Sequence, residues 1–166
     1  MRFSTLFYHL LLCVAGIVTM SGCNKEDSYI IGQTTTASNT PTLIGTYAIK
    51  SSTRGTYLTA TNNTVVLSNL ATTNLSVQWV LLKSGTSVLI QNKSTNTYLS
   101  SLSISLLSTN STAVASQWIQ QLYSAGVYRF LNTGNPSAML NAVTNVPAIS
   151  VVANTSADAN WILVPL

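Results

Sequence analysis

Hydrophobic and polar positions divide the chain into three stretches of different character. Residues 6–20 are almost wholly apolar, with Tyr8-His9 the only strongly polar interruption. Residues 28–42 are mostly Ser, Thr, Gly, Gln and Asn, with Pro41 near the end and no period that would give a packed face. That composition predicts a flexible tether. Beyond residue 43, short runs rich in β-branched and aromatic residues alternate with clusters of Gly, Asn, Ser and Thr. The first group predicts strands at 46–50, 57–61, 65–69 and 78–83, and none of the runs has the length or spacing of a helix. The expected class is all-β.

The same group recurs. Trp79, Trp118 and Trp161 are the three tryptophans of the chain, 39 and 43 residues apart, and each follows an amide: Gln78, Gln117 and Asn160. Upstream, eight residues separate Ile49 from Tyr57-Leu58, Ile90 from Tyr98-Leu99, and Leu131 from Met139-Leu140. Turn-forming residues fill each gap, and a glycine opens each unit, at Gly45, Gly85 and Gly126. Self-similarity at this period marks a repeat architecture. Three units of four strands, about 45–84, 85–125 and 126–166, specify a β-trefoil over 43–166: a six-stranded barrel closed by three hairpins. Closure places the last strand beside the first and removes exposed edges. In that frame the three tryptophans fill the core, and Tyr57, Tyr98 and Met139 pack beside them.

Composition then removes most chemistry. Within 43–166 the charged residues are Lys50, Arg54, Lys83, Lys93, Arg129 and the lone acid Asp158; the sole histidine, His9, lies in the first apolar stretch. Hydrolysis by paired carboxylates lacks its second acid. Nucleophilic catalysis lacks a His base and a free Cys, and zinc lacks imidazole and thiolate ligands. Five scattered cations form no phosphate track, so nucleic acid is not an expected partner. No enzyme activity, metal or cofactor is expected, and the domain reads as a monomer.

The N-terminal stretch has the layout of an export signal: Arg2, a short apolar run, then Met20-Ser21-Gly22-Cys23 with small residues before the cysteine. A run this short is not expected to span a membrane as a helix. The four residues resemble a bacterial lipobox, with Met20 where Leu is usual. The resemblance implies cleavage of residues 1–22 and lipidation of Cys23, with a membrane lipid as its first partner. Cys13 and Cys23 are the only cysteines. The mature chain would therefore begin on its one cysteine and form no internal disulfide. A two-chain or three-chain lipid gives stable attachment. The cluster Lys25-Glu26-Asp27 resembles the acidic export signals of surface lipoproteins in the Bacteroidota, which implies an outer-membrane location facing outward; a solvated spacer is the alternative.

The Gly-Thr-Tyr opening at Gly45, the Tyr-Leu blocks and the amide-Trp closings together resemble the ricin-type trefoil lectins across residues 43–166. The amide sits directly before each Trp, with Val77, Ser116 and Ala159 where the family has Gln. Family sugar sites use an Asp just after the second-strand aliphatic, an aromatic on the third strand and a nearby amide. At the Asp-equivalent positions stand Thr59, Ser100 and Asn141, and the expected third strands (65–70, 105–109 and 149–153) carry no aromatic. The third unit keeps most: Asn141 can accept and donate, and Asp158 lies three residues before Trp161. The resemblance implies carbohydrate binding centred on Asn141 and Asp158, with Thr59 and Ser100 as weaker equivalents. An interaction or adhesin module that presents its loops to a surface protein is the alternative.

Overall fold

In the computed structural model the described residues are 40–62, 64–101, 107–143, 148–151 and 156–166. The expected signal peptide, Cys23 and all but the last residues of the tether lie outside them.

Alternation along the strands decides which side chains turn inward. In the third strand of the first unit, Val65 and Leu67 are buried while Thr64, Val66 and Ser68 are partly exposed. Among the described residues twelve strands form: β1 (Thr42–Ser51), β2 (Tyr57–Thr61), β3 (Thr64–Ser68), β4 (Gln78–Ser84), β5 (Ser87–Asn92), β6 (Tyr98–Leu99), β7 (Leu107–Ser108), β8 (Trp118–Ser124), β9 (Val127–Asn132), β10 (Asn135–Asn141), β11 (Ala148–Val151) and β12 (Trp161–Pro165). Short 3-10 turns at Leu75–Val77, Val114–Ser116 and Ala157–Ala159 lead into β4, β8 and β12.

Six strands close a ring by antiparallel pairing: β1 with β4, β4 with β5, β5 with β8, β8 with β9, β9 with β12, and β12 with β1. The other six form three hairpins, β2–β3, β6–β7 and β10–β11, each joined to the ring through its first strand. This is the expected β-trefoil.

The core is threefold as well. Trp79, Trp118 and Trp161 are completely buried. Each indole Nε1 donates to the carbonyl of the second-strand leucine of its own unit, Leu58, Leu99 or Leu140, at 2.9, 3.0 and 2.9 Å. A large apolar ring is buried with its single polar atom satisfied, so the hydrogen bond offsets the cost of desolvating the N–H. Met139 is buried, while Tyr57 and Tyr98 are half-buried.

Three details depart from the sequence reading. The third counterpart of Ile49 and Ile90 is Phe130 rather than Leu131. Both Tyr57 and Met139 face the residue after that core position, Lys50 and Leu131 respectively. One additional residue in the third turn, at the register shift between Asn135 and Met139, moves the count by one. Gly45 does not open a turn as Gly85 and Gly126 do. Those two have φ of +60° and +72° at the β4–β5 and β8–β9 turns, a conformation costly for residues with a Cβ. Gly45 instead lies within β1 at a register shift, with the Tyr47 ring where its Cβ would stand. Finally, β1 begins at Thr42, because residues 42–46 pair with the far end of β4.

Candidate functional site

Buried asparagines hold the turns that surround the expected sites. Asn92 and Asn132 end β5 and β9, each opposite a tryptophan. The Asn92 Nδ2 donates to the carbonyls of Ser76 (2.8 Å) and Gln78 (3.3 Å), and its Oδ1 accepts from the Ser94 and Thr95 amides. The Asn132 Nδ2 donates to the carbonyls of Val114, Ala115 and Gln117, and its Oδ1 accepts from the Gly134 amide. Each asparagine thus ties its own turn to the 3-10 turn of the preceding unit. These two residues were not singled out in the sequence, where an Asn before a polar turn is unremarkable. Their recurrence at the end of the fifth and ninth strands was the available signal.

Ser51 takes this place in the first unit, and it is too short to reach across. Its Oγ pairs with Thr53 Oγ1 at 3.2 Å and accepts from the Arg54 amide at 3.3 Å. The seam between first and third units is closed differently. Thr53 Oγ1 donates to Asp158 Oδ1 at 3.2 Å, and Arg54 donates through Nε to the Ala142 carbonyl and through Nη2 to that of Val143. Asp158 therefore sits, half-exposed, on the 3-10 turn where the chain's last unit meets its first.

The fold brings the segments of Asn141 and Asp158 together: the Ala142 amide donates to the Asp158 carbonyl at 2.9 Å. Their side chains part, however. Asn141 is fully buried and its Nδ2 donates to the Met139 carbonyl at 2.8 Å, while the Asp158 carboxylate faces Thr53. Thr59 and Ser100 are also buried, at 1% exposure each. The Thr59 Oγ1 donates to the Tyr57 carbonyl and lies 2.7 Å from Ser68 Oγ. At all three Asp-equivalent positions a short polar side chain is buried. Of the two candidate residues of the third unit, Asp158 is the one that is not fully buried.

No protein-family model matches the sequence, and no curated protein matches it. Solved structures do match in shape. A GlcNAcα1-4Gal-releasing endo-β-galactosidase from Clostridium perfringens superposes with a TM-score of 0.67 at 21% identity, over 74% of this chain and 33% of that one. This chain thus spans only a third of that enzyme's length. The Rhizoctonia solani agglutinin gives 0.62 at 18% identity, over 74% of this chain and 95% of that one. A Macrolepiota procera ricin B-like lectin in complex with lactose gives 0.60 at 12% identity, over 73% and 95%. A designed threefold-symmetric protein is similar at 0.64 and 14% identity, over 74% and 99%. These likenesses place the chain in the β-trefoil fold, the fold it shares with ricin B-like lectins.

Proposed function

We propose that the chain is a non-enzymatic lipoprotein, exported, anchored through lipid on Cys23 and displayed from an outer membrane, whose trefoil binds carbohydrate as a monomer. The observation that carries this reading is the complete threefold barrel, with its three indole-to-leucine hydrogen bonds, in a fold that sugar-binding lectins share. Composition supports the non-enzymatic half: residues 43–166 hold one carboxylate and no histidine. In the third unit Asp158 supplies the charged acceptor, and Asn141 joins it only by turning out of its hairpin.

A glycan array probed with the full chain in a sugar-free detergent tests the reading. Binding that falls at least tenfold in Asp158→Ala supports both the activity and this placement, while silence on every glycan sinks carbohydrate binding. Anchoring has a separate readout: Cys23→Ala should abolish incorporation of labelled palmitate by an expressing bacterium. Burial of Thr59, Ser100 and Asn141 favours the second reading, an interaction or adhesin module. Exposed Ile119, Leu122 and Tyr123 on β8 would then be the first contact surface to test.

A further inference from the structure

Because the units share one frame, a difference at equivalent positions reveals what one unit does alone. Counting three residues back from Asn92 and Asn132 makes Leu89 the counterpart of Arg129. The residues before the tryptophans, Gln117 and Asn160, are counterparts in the same way. In the third unit Arg129 is buried, and its Nε donates to Asn160 Oδ1 at 2.8 Å. Its Nη2 lies 3.4 Å from the Ser156 carbonyl, and the Tyr123 ring centre is 3.7 Å from the guanidinium carbon. Tyr123 is the extra residue of a register shift between Leu122 and Ser124. The counterpart strand β4 runs to Ser84 with no such shift. A bulge thus aims an aromatic at the arginine, and the two occupy the position.

At the equivalent place beside Leu89 there is neither an arginine nor a bulge on the facing strand. Leu89 there forms the floor of a cleft of about 380 Å³, walled by Ser84, Ser87, Thr112 and Gln117. Gln117 Nε2 donates to the Thr112 carbonyl at 3.1 Å, which sets the amide on the loop wall. Pro41 supplies an exposed apolar wall. It is carried there because the start of β1 pairs with the end of β4, Thr42 opposite Lys83. No other barrel strand enters with such an extension: β5 and β9 begin directly after their hairpin turns.

We propose that this cleft of the second unit binds a neutral, hydroxyl-rich ligand on the scale of one sugar ring. Every residue lining it is uncharged, so an ionic ligand would lose hydration without gaining a counter-charge. Serine and threonine hydroxyls both donate and accept, which suits adjacent ligand hydroxyls that do the same. The Pro41 ring offers a surface for the C–H face. The volume lies at the small end of small-molecule sites, about 300–1,000 Å³. This inference rests on the carbohydrate-binding reading and locates the ligand away from Asn141 and Asp158.

The test titrates the strongest glycan from the array against the full chain and two variants. Thr112→Trp fills the cleft from its exposed rim without altering the core, and Leu89→Arg with Gln117→Asn transplants the third unit's arrangement. Thr73→Trp, an exposed position on the corresponding loop of the first unit, controls for an added aromatic. Thermal melts establish that each variant is folded. At least tenfold weaker binding in Thr112→Trp, with Thr73→Trp binding as the parent, is the expected result. Undiminished binding by Thr112→Trp overturns the cleft. If Asp158→Ala then loses binding, carbohydrate recognition stands and belongs to the third unit; if the parent binds no glycan, both readings fall together.

Discussion

The second and third units share a barrel and differ in what covers it. Trp118 and Trp161 are equally buried and make the same hydrogen bond, to Leu99 and Leu140. Three residues before the strand-ending asparagine they diverge: Leu89, itself buried, lines the cleft, whereas Arg129 is inserted between Asn160 and Tyr123. Inner positions face two neighbouring units at once, so packing density constrains them in every copy. On the outer side of the ring the neighbours differ from copy to copy: Leu89 meets a cleft that Ser84 and Pro41 also line, whereas Arg129 meets Tyr123 of the preceding unit and Asn160 of its own.

The largest expected effect bears on what the units share. Trp118→Ala and Trp161→Ala should each destabilise the fold by about 3–5 kcal/mol, the range for deleting a large buried aromatic. Urea denaturation followed by circular dichroism measures both. A gap between them of more than about 2 kcal/mol would mean that the two units do not contribute equally to the core.

The next effect addresses the divergence. Arg129→Leu gives the third unit the side chain of the second, and it removes the partner of Asn160 Oδ1 and of the Ser156 carbonyl. Leaving those groups unpaired should cost about 1–3 kcal/mol. An unchanged denaturation midpoint would show that the arginine is dispensable for the cover. The smallest effect isolates the bulge residue. Tyr123 is half exposed, so Tyr123→Ala should cost about 0.5–1 kcal/mol through loss of its contact with the guanidinium. In the Arg129→Leu background the same substitution should cost less, a coupling that a double-mutant cycle reads directly.

Much of the frame was legible because its determinants are local. Short β-branched runs such as 65–69, the glycines Gly85 and Gly126, and the amide-Trp closings repeat at one period, and together they specify four strands taken three times. The same reading placed all three tryptophans in the core. It misassigned Leu131 for Phe130 because one additional residue in a turn preserves composition while moving the register. It grouped Gly45 with the turn glycines because a glycine at a bulge and one in a turn look alike in sequence.

The candidate site was less legible, and the reason is distance along the chain. Thr59, Ser100 and Asn141 each follow the leucine that accepts an indole hydrogen bond, but nothing near them in sequence says that their side chains are buried. Asp158 finds Thr53 across 105 residues, and Arg54 reaches the Ala142 and Val143 carbonyls across 88 and 89. Pro41 comes beside the second unit only because β1 overruns the barrel end. The sequence by itself determined the strand pattern, the threefold plan and the shortage of catalytic groups, since periodicity and composition need no partner. Tertiary structure alone decided which polar side chains close the ring, which are turned inward and which residues line the cleft of the second unit. Those outcomes depend on hydrogen bonds and packing between residues that only the closed barrel brings into reach.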